Sequence, residues 1–132
     1  MNEKRKALEL IRECLVDYST PLYIVGNIDE LNLATNNVIS VLAPKSSFAI
    51  INESYPDWVN RAYENVNNMF NIVVFKDFDK LSLEDQNLFT DIICNNRISS
   101  EDLPEDLKII LNSEKQCKLI PKISDVVQQI EL

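Results

Sequence analysis

Four short apolar runs alternating with longer amphipathic stretches constrain this 132-residue chain more than any other feature. Leu22–Gly26 (LYIVG), Phe48–Asn52 (FAIIN), Ile72–Phe75 (IVVF) and Leu107–Asn112 (LKIILN) are apolar almost throughout. Runs of this length suit strands buried on both faces, and such strands belong to a parallel sheet covered by helices on each side. The C-terminal VVQQIEL, Val126–Leu132, reads as a final strand. The predicted order is α-β-α-β-α-β-α-β-β, a three-layer α/β/α domain on a five-stranded, mostly parallel sheet.

The intervening segments carry helical spacing. Leu8, Ile11 and Leu15 define an amphipathic first helix over Asn2–Tyr18, which Thr20-Pro21 ends. Asn27 and Glu30 have the spacing of a capping box. Behind them Ile28, Leu31, Thr35, Val38 and Leu42 extend a helical stripe up to Pro44. Ser54-Tyr55-Pro56 opens a helix whose inner face is Trp58, Val59, Ala62, Tyr63, Val66 and Phe70. Tyr55 and Tyr63 read with Trp58 as core. Ser82 and Asp85 start a further helix that buries Phe89, Ile92 and Ile93. A polar loop with SSEDLPED precedes the fourth strand, and EKQCKLIPKI forms a short connection after it. No repeat or linker divides the chain, so residues 1–132 read as one domain.

Composition removes several function classes. No run approaches the roughly 18 apolar residues of a membrane span, and the charged N-terminus MNEKRKALELIREC does not resemble a secretory signal. Cys14, Cys94 and Cys117 are odd in number and lack a CxxC spacing, which fits reduced, mostly buried thiols of a cytoplasmic protein. Without histidine there is no imidazole-based nucleophile activation or zinc ligation. The single glycine, Gly26, leaves little scope for a loop that wraps phosphate with backbone N–H groups. A net charge of −8 repels a nucleic-acid backbone. The basic spots Lys4-Arg5-Lys6 and Lys115, Lys118 and Lys122 read as solvated surface.

The order and spacing of these elements resemble the α/β core of AAA+ ATPases, a P-loop NTPase fold, from Pro21 to Leu132. The likeness is especially to clamp-loader subunits and to the central domain of bacterial enhancer-binding (sigma-54-type) activators. The resemblance implies a GxxxxGK(S/T) loop after the first strand, where glycines free backbone amides and lysine and hydroxyl contact phosphate and magnesium. Here YIVGNIDELNLAT keeps Gly26 and lacks the later glycine and the lysine. Asp29 and Glu30 place carboxylates at the following helix start, where they complement the helix dipole and repel a triphosphate. APKSSFAIIN is similar to the activator stretch leading into a strand that ends in Asn, but the segment from Asn52 to Asn71 has no room for a sigma-contacting loop.

NIVVFKDFDKLSLEDQ, Asn71–Gln86, resembles the family's third strand and the turn after it. Aligned on Asp79-Lys80-Leu81, Lys76 takes the place of the magnesium-holding Asp and Asp77 that of the catalytic Glu. A lysine repels the metal. Asn112 falls at the sensor position, and Asp125 falls where an arginine finger stands. The helical lid is absent from the sequence. The resemblance therefore implies a degenerate, non-catalytic AAA+-like module acting through protein–protein contact. Gly26, Lys76, Asp77, Asn112 and Asp125 become vestigial positions, with no metal or cofactor, no enzymatic activity, no nucleic-acid or membrane partner and a cytoplasmic location. Its implied partner is another protein, an active AAA+ ATPase or a replication or transcription component.

Two other readings remain open at this level. In a receiver-like signalling domain, Asp29 and Glu30 would form the acidic pair, Asp77 the phosphoacceptor, Ser113 the switch hydroxyl and Lys122 the strand-end lysine. In a carboxylate-dependent enzyme, Asp77, Asp79 and Glu84 would carry the chemistry.

Overall fold

The computed structural model describes residues 2–17, 20–28, 38–51, 56–66 and 71–132. A five-stranded, wholly parallel sheet forms its centre, built from β1 (Leu22–Val25), β2 (Val38–Leu42), β3 (Asn71–Lys76), β6 (Leu107–Ser113) and β7 (Gln128–Glu131). Across the sheet the order is β2-β3-β6-β1-β7. β4 (Arg97–Ile98) and β5 (Glu101–Asp102) make a small separate hairpin within the predicted polar loop. Its two-residue turn, Ser99-Ser100, has positive φ at both positions, as a primed hairpin turn requires. A chain with one glycine fills such left-handed sites with Ser, Asn and Asp: Asn96 and Asp77 adopt the same conformation.

Helices cover both faces of the sheet. The first face carries α2 (Ala43–Ile51), α3 (Asp57–Glu64), α4 (Leu83–Gln86), α5 (Thr90–Asn95) and α6 (Pro121–Ser124). Their apolar side chains join those of Val73, Phe75, Ile109 and Leu111 in the larger core. Phe75 sits at its centre, edge-on to Trp58 at 5.3 Å and to Phe89 at 5.1 Å between ring centroids. On the second face α1 (Asn2–Asp17) lays Ile11 and Cys14 over Ile24, Ile72, Val74 and Ile110. Alternate residues of β3 and β6 therefore serve opposite cores, which is why these strands read as continuous apolar runs.

Handedness explains the layering. The connections from β2 to β3, β3 to β6 and β6 to β7 all advance in one direction across the sheet, while that from β1 to β2 runs the other way. Right-handed crossovers then put α2, α3, α4, α5 and α6 on one face. Ile28, which follows β1, packs in the core beneath α1 on the other. Residues 29–37 lie outside the described residues.

One predicted pair of elements is corrected. The helical stripe through Val38 and Leu42 ends in strand β2, and the predicted strand Phe48–Asn52 is part of helix α2 as far as Ile51; Asn52 lies outside the described residues. The likeness of APKSSFAIIN to a strand that ends in Asn falls with it. Pro44 is the second residue of α2, within the first turn, where a missing N–H breaks no helical hydrogen bond, so it does not stop a helix there. The stripe that α2 buries is Ala43, Ser46, Ser47 and, in part, Ile50, which has helical spacing but small, weakly apolar members. Phe48 and Ile51, which suggested a strand, are 69% and 57% exposed.

The other predicted elements hold with local changes. Ser82 caps α4 by accepting from the Asp85 N–H at 3.0 Å. On α3 Trp58, Val59 and Ala62 are buried, whereas Tyr63 and Val66 are exposed. The Tyr63 hydroxyl donates to the Asp102 carbonyl. Tyr18, Tyr55 and Phe70 and the side chain of Leu15 lie outside the described residues. Cys14 is buried, but Cys117 is half-buried and Cys94 exposed, so the thiols are not mostly buried; all three are free.

The α2 assignment has a direct test in chemical denaturation. Ala43→Asp, which buries a carboxylate in the larger core, should cost about 3 kcal/mol or more. Ile51→Lys should stay within roughly 0.5 kcal/mol of wild type, as expected for an exposed helical position. A strand at Phe48–Ile51 predicts the reverse ranking.

Candidate functional site

In a parallel sheet, ligands bind beyond the carboxyl ends of the strands where neighbouring connections leave in opposite directions. Here that switch point falls between β1 and β6: the chain leaves β1 toward β2 and leaves β6 across β1 toward β7. The residues facing it are Gly26, after β1, and Asn112 and Ser113, which end β6 opposite Ile24 and Val25. Gly26 thus stands where a phosphate loop would begin.

The crevice is closed by the chain itself. The buried Asn112 amide donates to the Ile24 carbonyl at 2.9 Å and to the Gly26 carbonyl at 3.1 Å. The Gly26 N–H donates to the Ser113 carbonyl at 2.8 Å, carrying the β1–β6 pairing one step beyond the strand. From the other side the Leu132 N–H donates to the Val25 carbonyl at 2.8 Å. A Cβ built on Gly26 would lie 2.8 Å from the Leu132 Cβ, and Gly26 has a φ of +131°. The carbonyls of Ile24, Val25 and Gly26 and the Gly26 N–H are thus all taken up within the chain, and Leu132 packs against Gly26.

Beneath this closure lies a second polar cluster. The Tyr23 hydroxyl is 2.6 Å from the Ser113 hydroxyl and accepts from the Cys117 N–H at 3.1 Å. Ser113 in turn donates to the Lys115 carbonyl at 2.7 Å. Burial, followed by the hydrogen bond with Cys117, raises the Tyr23 phenol above its ordinary value, so the group stays protonated. The cluster fixes the turn after β6 and presents no activated nucleophile. Partial desolvation likewise raises the Cys14 thiol and that of the otherwise exposed Cys94, with Glu13 and Asp91 adding to it, which disfavours thiolate formation.

Lys76 and Asp77 share the carboxyl edge. Lys76 is the last residue of β3, half-buried and paired in register with Leu42. Asp77 takes a left-handed conformation and starts a 3-10 turn, Phe78–Lys80, which packs Phe78 against Phe89 at 5.4 Å between ring centroids. Its carboxylate pairs with Lys80 at 3.6 Å and makes no capping hydrogen bond. Asp79 and Glu84 are exposed, and among the described residues no three acidic or thiol side chains come together as metal donors.

Asp125 stands apart from these positions. It is exposed at the end of α6, and the following strand begins with Gln128 opposite Leu22, the first residue of β1. Asp125 and Lys122 therefore lie at the amino end of the sheet, across the molecule from Gly26 and Asp77. This separation removes Lys122 from the receiver-like constellation, and Ser113 is buried and fully engaged. The strand order differs too: receivers place the first strand between the second and third, whereas here β1 lies between β6 and β7. Asp29 and Glu30 lie outside the described residues.

Sequence reasoning missed Leu132 as the closing group and Asn112 as a clamp. A buried amide at a strand end carries no local sequence signal, and the Leu132 contact joins distant parts of the chain. Compared with known protein-family models and with curated proteins, the chain matches none.

Gly26→Ala tests the closure. The positive φ and the Leu132 contact together should cost about 2–4 kcal/mol, read by urea denaturation. Combining it with Leu132→Gly should recover only the steric share and leave the backbone strain. Full additivity of the two changes would show that they do not meet.

Proposed function

We propose that this chain is a non-catalytic AAA+-like module that works by protein–protein contact, as a scaffold or regulator of a nucleotide- or DNA-handling assembly or of transcription. The observation that carries the reading is the closed switch point. The segment resembling a phosphate-loop strand ends where the topology puts a ligand site, and Asn112 and Leu132 bond its backbone groups inward. Lys76 at the end of β3, where the resemblance expects a metal-holding acid, and the lack of a loop lysine after Gly26 support the same reading.

The framework explains why such a chain keeps the strands. Phe75, Val73 and their neighbours build the core whether or not chemistry occurs at the strand ends. Function then resides on the outer surface. The implied setting is the cytoplasm, where three free thiols are stable; among the described residues no helix is long and apolar enough to cross a membrane. The partner is a protein, an active AAA+ ATPase or a replication or transcription component being the class the resemblance favours.

Isothermal titration calorimetry with magnesium-ATP is the test. The expected result is no saturable heat up to millimolar nucleotide, with or without magnesium. Micromolar, magnesium-dependent binding would overturn the reading.

A further inference from the structure

The two edges of the sheet are built differently. β7 reads Gln-Gln-Ile-Glu and exposes Gln128, Gln129 and Glu131, the polar edge that discourages further pairing. β2 reads Val-Ile-Ser-Val-Leu, with no charge and no proline. It pairs only with β3 among the described residues, so its outer backbone groups face away from the sheet. Ser40 is exposed and Leu42 is 48% exposed. An uncharged, β-branched edge of this kind is a template for another strand.

A groove of about 470 Å³ lies along that edge, bounded by β2, α2 and α3. Ala49, Pro56 and Trp58 give it an apolar floor. The floor is fixed from below: the Trp58 indole N–H donates to the Ser46 hydroxyl at 3.1 Å, tying α3 to α2, and the ring packs edge-on against Phe75. Lys45 and Arg61 line the groove, both are exposed, and neither forms an ion pair among the described residues. Asp57 is the one acidic residue in the lining among the described residues. On a chain of net charge −8, this groove is a local reversal of sign.

We propose that the outer edge of β2 and this groove receive an extended, acidic peptide segment of a partner protein, added as a further strand of the sheet. Backbone hydrogen bonds to β2 would supply affinity, and Lys45 and Arg61 would select carboxylates over neutral or basic side chains. The proposal rests on reading the chain as a contact module and names where the contact is made. A second copy of this chain fits less well. Pairing β2 with β2 would bring together two chains that each carry a net −8 and would offer Lys45 and Arg61 no carboxylate from the strand itself.

The test uses fluorescein-labelled peptides of alternating valine and glutamate, with matched valine–glutamine and valine–lysine peptides, in anisotropy titrations against the full chain. The glutamate peptide should bind at least tenfold tighter than the lysine peptide. Lys45→Glu combined with Arg61→Glu should reverse that order; both side chains are exposed, and circular dichroism checks that the variant is folded. N-methylation of alternate amides in the glutamate peptide should weaken binding at least tenfold if a strand is formed. Absence of binding by all three peptides, equal binding of the acidic and basic ones, or indifference to N-methylation would each overturn the proposal. So would a dimer in analytical ultracentrifugation that occludes the edge and excludes the peptides. Peptide failure with no ATP binding sinks the β2 site and leaves the contact-module reading in place, whereas ATP binding sinks that reading whatever the peptides do.

Discussion

The amide of Asn112 is the point on which the carboxyl end of the sheet turns. One side chain at the end of β6 donates to two carbonyls of the neighbouring strand end, Ile24 and Gly26. A buried backbone carbonyl without a donor costs about 1–3 kcal/mol, so satisfying two with one amide fixes the path of the chain as it leaves β1. That path brings Gly26 against Leu132 and lets the final strand close beside β1. The bonding at Gly26 and the docking of the final strand are thus one arrangement.

Much of this fold was legible because the decisive strands are buried on both faces. LYIV, IVVF and LKIIL have no polar alternation, and a sheet covered on each side requires that. The helix start at Ser82 was legible from side-chain chemistry, since a serine three positions before Asp85 has a backbone N–H to accept from. The exchange of strand and helix between Val38 and Ile51 was not legible, for a physical reason. α2 buries Ala43, Ser46 and Ser47, whose burial reflects close helix packing rather than hydrophobicity, and it leaves Phe48 and Ile51 exposed. A pattern reader follows the large apolar residues and is led to the wrong face.

The candidate site divides in the same way. Lys76, Asp77 and Asn112 were placed at strand ends by spacing alone, and they do gather with Gly26 at one edge of the sheet. Asp125 does not join them, because α6 and the start of β7 belong to the amino end. Tyr23, Ser113 and Cys117 meet only through folding, and their hydrogen bonds could not be inferred from positions so far apart in sequence. The uncharged edge of β2 stayed hidden for another reason: it became visible only once Val38–Leu42 was known to be a strand.

The central claim is that the switch point is permanently closed by the chain's own groups, so the sheet serves as architecture and contact surface. Native-state amide hydrogen exchange at Gly26 and Leu132 tests it most directly. Both amides donate across the closure, Gly26 to Ser113 and Leu132 to Val25. If the closure is integral to the fold, both exchange as slowly as the core amides of β1, through global unfolding. Fast exchange at Gly26 and Leu132 beside a protected β1 would contradict it, because the crevice would then open while the sheet stays folded.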